Sequence, residues 1–165
     1  MSRAAHAVFL CSLGIWVGGM SVLGLVVAPA VFRSVPSRLQ AGTIFGSVLQ
    51  GFGLVQIALA VVCLGSLLGL VLTGVLPRKR GAIRIGIVAL MLGLVLVSQV
   101  YLSPEIVRER ESIAGFDAVP TGTPPKARFD RLHRTSVRLA ATTLLLGFGL
   151  LAWSTATLKP ADDGA

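Results

Sequence analysis

An all-α, integral-membrane four-helix bundle is the fold this sequence predicts. Four uncharged stretches, residues 4–32, 39–77, 85–104 and 139–158, are each long enough to cross a bilayer. A helix rises about 1.5 Å per residue, so about 20 apolar residues match a hydrocarbon core roughly 30 Å thick. Only 13% of the 165 residues are charged and 54% are hydrophobic, against about 25% charged in an ordinary soluble domain. Little sequence remains outside the spans, which leaves one transmembrane domain and no separate soluble core.

Span one is read at about residues 6–32. Its apolar run exceeds 20 residues, longer than the roughly 7–15 of a signal-peptide core. The Ala28-Pro29-Ala30 run also carries a proline that suits cleavage poorly, so a retained span is predicted. Pro29 should kink or end this helix, because it lacks an N–H and its ring meets the preceding turn. The second uncharged stretch is too long for one span and too short for two with a turn. Gln40, Thr43, Ser47 and Gln50 recur at helical spacing opposite Ile44, Val48 and Phe52, which makes 39–50 a short amphipathic helix before the span proper at 51–76. Pro77 ends that span, and Arg78-Lys79-Arg80-Gly81 forms a basic turn.

Span three is read at about residues 83–102. Ser103-Pro104-Glu105 then reads as a helix start, with a Ser cap, Pro at the first position and an acid in the first turn. A short polar helix over 104–114 should follow. Residues 115–125 are rich in Gly and Pro and make the one long loop. Span four is read at 132–157, with helix beginning near Lys126, and the tail 159–165 is expected to be disordered.

The formal charge of +8 would suggest nucleic acid on a soluble protein. Here the bases flank spans, where they meet headgroups and set topology, so no nucleic-acid partner is expected. Cys11 and Cys63 lie within apolar stretches without ligand spacing and read as small hydrophobes. His6 and His133, the two histidines, fall at opposite ends of the bundle, which argues against a shared haem or metal. No nucleophile–base pair, metal-ligand spacing or paired carboxylate is found. The sequence therefore predicts no catalytic residues, no metal and no cofactor.

Four spans put both termini and the basic turn on one side and the 1–2 and 3–4 connections on the other. The second side gathers the polar stripe and the start of span four. At 100° per residue Arg131, Arg134 and Arg138 share one face, while Phe129, His133, Ser136, Ala140 and Thr143 share the opposite one. The arginine face should reach headgroups and the His133 face should turn into the bundle. This yields a candidate polar pocket of His133, Ser136, Phe129, Gln40, Ser47 and Gln50, set against the plainer reading of ordinary interhelical contacts. Three GxxxG spacings occur, Gly14/Gly18, Gly42/Gly46 and Gly65/Gly69. About two are expected by chance, which leaves open a homo-oligomer, a membrane partner or close packing within one bundle.

Several residues form an ordered set: Ala28, Pro29 and Phe32 ending span one; Ala41, Gly42, Phe45 and Gly46 after the turn; Pro104 after span three; and Phe129, Leu132, His133 and Ser136 opening span four. In this order they resemble the transmembrane protein 205-like family, catalogued in bacteria as domain of unknown function 4149. The resemblance implies a four-span membrane protein without an assigned reaction. It implies a structural role for Pro29, Phe32, Gly42, Phe45 and Pro104.

The functional expectation is a multi-pass protein of the cell membrane that acts in transport or permeability, with its polar pocket near His133. The competing expectation is a non-catalytic accessory subunit packing against a partner. The four bases packed at 78–84 favour cytoplasmic termini, although the longer 3–4 connection carries more bases and favours the reverse.

Overall fold

In the computed structural model, residues 2–157 are described, and the tail expected to be disordered lies outside them. Four long helical rods run up and down in an antiparallel bundle, each apolar and long enough to cross a membrane. The first consists of α1 (Ser2–Val22), a π-helical turn at Leu23–Val27 and α2 (Ala28–Ser34). The second is α3 (Arg38–Leu72). The third joins α4 (Arg78–Val97), a π-helical turn at Ser98–Leu102 and α5 (Ser103–Ser112). The fourth is a short 3₁₀ turn, Pro124–Lys126, followed by α6 (Ala127–Ala156). α1 packs on α3, α3 on α4, α4 on α6 and α6 back on α1, which closes the ring.

Both π turns have the same cause. Each stands immediately before a proline-bearing helix start, with Pro29 second in α2 and Pro104 second in α5. A proline inside an α-helix removes one N–H and pushes on the carbonyl four residues back. Widening the turn relieves that contact. The Ala28 N–H then reaches Leu23 O and the Ser103 N–H reaches Ser98 O, five residues back in each case. The helices therefore bend and continue. Pro29 neither ends span one nor leaves it regular, and the polar helix expected over 104–114 is present as α5, joined to α4 through the π turn. Leu102, rather than Ser103, holds the cap position of α5, without a side-chain cap.

The 39–50 segment is also continuous with its span. α3 runs 35 residues without a break, about 52 Å, so it exceeds a 30 Å hydrocarbon layer by several turns. Its polar first turns are the part that projects. No proline or left-handed residue falls at 51, so nothing in the backbone ends the helix there. Its far end comes at Leu72, short of Pro77, because Gly74 takes φ of +72° and turns the chain.

The interior is filled. Phe9, Leu13, Trp16, Ala60, Cys63, Leu67, Val88 and Met91 are all 0% exposed and form one cluster with Leu150. Cys11 is exposed and Cys63 buried, and both are free thiols. Glycines set the close approaches. A Cβ on Gly147 would lie 2.6 Å from Val17 Cγ2 and 3.2 Å from Met91 Cε. That contact fixes which way α6 faces: Thr143, Gly147, Leu150 and Ser154 are its buried line. The arginine face is exposed as expected. Of the face read with His133, Thr143 is buried and Phe129 and Ser136 are half-buried, but His133 and Ala140 themselves are exposed. The inward line continues the face read in the sequence through Thr143, and His133 and Ala140 lie toward its edge.

Candidate functional site

The end of the bundle carrying the 1–2 and 3–4 connections is a folded cap, and the cap positions a polar groove below it. The cap is built around Lys126, which is 4% exposed. Its Nζ donates to Phe116 O at 3.0 Å and Val119 O at 3.2 Å, and sits 3.7 Å from the Phe116 ring centroid. A buried ammonium must find acceptors; these two carbonyls and the ring supply them and wind the 3–4 loop around the side chain. Asp130, also buried, accepts from the Gly122 N–H at 2.8 Å. Arg134, four residues further on, forms no ion pair with it. At the outer edge Arg128 bridges Glu105 at 2.9 Å and Glu109 at 2.8 Å, tying α6 to α5.

The same loop caps α3. Ser37 Oγ accepts from the Gln40 N–H, and Asp117 Oδ1 accepts from the Leu39 N–H at 2.9 Å. Two of the four orphan N–H groups of a helix start are thus satisfied, one of them from 78 residues away in sequence. A hydrogen bond from the Ser37 hydroxyl, with those from the Leu39 and Arg38 N–H groups and the charge of Lys126, holds the Asp117 carboxyl below its ordinary value of 3.8 despite the opposing desolvation. The sign follows from linkage. A depressed carboxyl stabilises the folded cap above its unfolded pKa, and that contribution is lost as pH falls through the folded value. Limited proteolysis of the 113–123 loop should therefore accelerate on acidification below about pH 4. Asp117→Asn should already show faster cleavage at neutral pH and a flatter acid response. An unchanged neutral-pH rate in the variant would refute the capping role.

Arg110, 7% exposed, crosses to α3, where its Nη1 lies 3.2 Å from the position a Cβ on Gly42 would take. The neighbouring Ala41 is 0% exposed. Ala41-Gly42 is therefore small because a guanidinium passes over it. Phe32 and Phe45 meet edge to face at 6.2 Å and close the other side of the turn.

Below the cap, Ser47, Gln50, Gly51, Leu54, Ile57 and Gln99 line an open lateral groove. Gln99 sits in the second π turn and donates from Nε2 to Leu49 O at 3.1 Å. Its amide occupies the space a Cβ would take on Gly53. Gly53 thus lets the glutamine lie flat on α3 and present its polar end beside Ser47 and Gln50, both exposed.

The six pocket residues read in the sequence divide. Ser47 and Gln50 line the groove, and Gln40 is exposed near the start of α3. His133, also exposed, stacks on Phe129 at 5.9 Å with 3° between planes, and Phe129 meets Phe116 edge to face at 5.0 Å. These three rings form a ladder that holds the loop on α6. Ser136 is half-buried one turn on. His133 and Phe129 therefore belong to the cap, and the groove residues do not include them. Gln99 completes the groove. The signal for it in the sequence was a polar pair, Ser98-Gln99, five residues before Pro104. Among the described residues, no group of three His, Cys, Asp or Glu side chains comes close enough to hold a metal ion.

These features define a multi-pass, four-helix membrane protein with a folded connection-side cap. Residues 11–114 match the family described as Domain of unknown function (DUF4149), and the chain belongs to it. The match includes Pro29, Phe32, Gly42, Phe45 and Pro104, the residues of the two bends and the α3 turn, and stops before Phe129 and His133. No curated protein and no solved structure matches the chain.

Proposed function

We propose that this protein is a non-catalytic packing subunit of the membrane, whose lateral groove at Ser47, Gln50 and Gln99 receives a transmembrane helix from a second polypeptide. The supporting observation is an open lateral groove lined by the polar side chains of Ser47, Gln50 and Gln99, on a bundle whose own interior is filled. Polar groups facing lipid are costly, and a helix offering small or hydrogen-bonding side chains would satisfy them. A second copy of this chain is the first occupant to test.

The filled interior counts against a solute path through one bundle, so a transport or permeability role would place its path between copies, along the same groove. Kinship with the transmembrane protein 205-like family rests on the order of the proline, glycine and aromatic motifs. The basic turn at Arg78–Arg80 favours cytoplasmic termini in the cell membrane, against the larger count of bases on the 3–4 connection.

Cysteine crosslinking in native membranes tests the packing role. With Cys11 and Cys63 replaced by Ser, Ser47→Cys should give a dimer at least fivefold more readily than Val61→Cys, which is exposed on the same helix away from the groove. Equal, low yields at both positions would remove the second-copy reading.

A further inference from the structure

At the opposite end of the bundle a cation is buried without an anion among the described residues. Arg84 is 1% exposed. Its Nη2 donates to Thr157 Oγ1, and its guanidinium lies 5.0 Å over the Trp153 ring. Neither partner carries charge. Three polar atoms at this end are enclosed without a hydrogen-bond partner among the described residues: Arg84 Nε, His6 Nε2 and Ser154 Oγ. Arg80 adds a second positive charge, and His6 lies within reach of the Arg84 charge. The five acids among the described residues, Glu105, Glu109, Glu111, Asp117 and Asp130, all belong to the other end.

Sequence places Arg84 about 9 Å along α4 from Arg78, and its side chain reaches back to Thr157, an exposed residue at the end of α6. The guanidinium tip is therefore one hydroxyl away from the headgroup layer. Directly below, the same Trp153 forms the top of an apolar groove between α4 and α6, walled by Ile87, Leu146, Gly149 and Leu150. Cation and groove meet at one indole.

We infer that this end binds an anionic glycerophospholipid, its phosphate on Arg84 and Arg80 and one acyl chain along the Gly149 groove. A phosphate oxygen would replace the Thr157 hydroxyl and accept from the guanidinium fork, which suits a bidentate contact that lysine cannot reproduce. Basic pockets between helices at the membrane surface recognise lipid headgroups in this way. The apolar groove selects a lipid over a free phosphate.

Native mass spectrometry of the full chain, from detergent containing equal phosphatidylglycerol and phosphatidylcholine, tests the assignment. The intact protein should retain phosphatidylglycerol at least tenfold over phosphatidylcholine. Arg84→Gln should bring that ratio below about threefold, and Arg84→Lys should fall between. Gly149→Leu fills the groove without touching Arg84, since nothing lies within 4 Å of that Cβ position; it should reduce retention of phosphatidylglycerol and keep the protein folded. Equal retention of the two lipids would overturn the inference, as would an undiminished ratio in Arg84→Gln. Displacement of the lipid by millimolar inorganic phosphate would assign the site to a soluble anion instead. A preference that emerges only with Asp162→Asn and Asp163→Asn would assign it to the chain's own carboxylates.

Discussion

Gly53→Ala should lower the thermal stability of the purified protein sharply, and the loss should vanish when Gln99 is also removed. The methyl group of alanine would occupy the place of the Gln99 amide. Either α4 moves away from α3 or Gln99 swings out, which gives up its bond to Leu49 O. Overpacking a tight contact costs about 1–3 kcal/mol and a lost hydrogen bond about 1 kcal/mol more. The single variant should therefore lose about 2–4 kcal/mol. Gln99→Ala alone removes the bond but opens space, and should cost about 1 kcal/mol. In that background Gly53→Ala should be nearly neutral, giving a coupling of about 2–4 kcal/mol between the two sites. The readout is thermal exposure of Cys63, which is fully buried, to a thiol-reactive dye, with Cys11 replaced by Ser. Additive losses in the double variant would mean that Gly53 is small for another reason, and the account of the groove would fail with it.

The same pair shows why some of this molecule is legible in its sequence and some is not. Span number follows from charge-free length alone, because a backbone in lipid must satisfy its own hydrogen bonds. The stripe at Gln40, Thr43, Ser47 and Gln50 stands out because it interrupts an apolar background. Rotation of each helix is different. In water, the apolar face is the inner one. In lipid, both faces are apolar: Leu13 and Leu67 are buried while Leu25, Leu72 and Leu145 face outward at 79%, 77% and 72% exposure. What decides is which small residue admits a neighbour, and nineteen glycines offer many candidates. Gly147 against Val17 and Met91 turns α6 so that Thr143, Gly147 and Leu150 face in, while His133, at the edge of the same face, stays exposed. No periodicity of hydrophobic residues contains that choice.

Proline was legible as a disturbance at residues 29 and 104 but not in its outcome. The ring forbids a regular turn, and it does not dictate whether the helix stops or widens. The rods continue through both sites because packing on either side of each bend holds the axis. The second bend matters for the groove, since Gln99 lies within its wide turn. Basic residues misled in another way. Lys126, Arg84 and Arg110 stand among bases that meet headgroups, yet all three are buried. Long cationic side chains bury their stems wherever acceptors or rings await the charged end, and those acceptors lie in loops or on other helices.

Lys126 makes the clearest test of how much the cap depends on one such side chain. Lys126→Met keeps the length and apolar stem but replaces the ammonium. Phe116 O and Val119 O lose their donor, and the charge on the Phe116 face is gone. Hydrogen bonds to a charged group are worth about 1.5–3 kcal/mol net. Local opening of the loop should then become easier by about 2–4 kcal/mol, roughly 30- to 800-fold in the population of the open form. That opening also withdraws Asp117 from the start of α3, so its cap is lost in the same event. The bundle core, centred on Leu13, Leu67 and Met91, contains none of these groups. Proteolysis within 113–123 should accelerate by at least 30-fold, while the temperature at which Cys63 becomes reactive should hardly change. Local opening without global unfolding is the signature of a cap docked on an independently stable bundle. A large fall in the Cys63 transition would instead make the cap part of the cooperative core, and an unaltered cleavage rate would remove Lys126 as its organising residue.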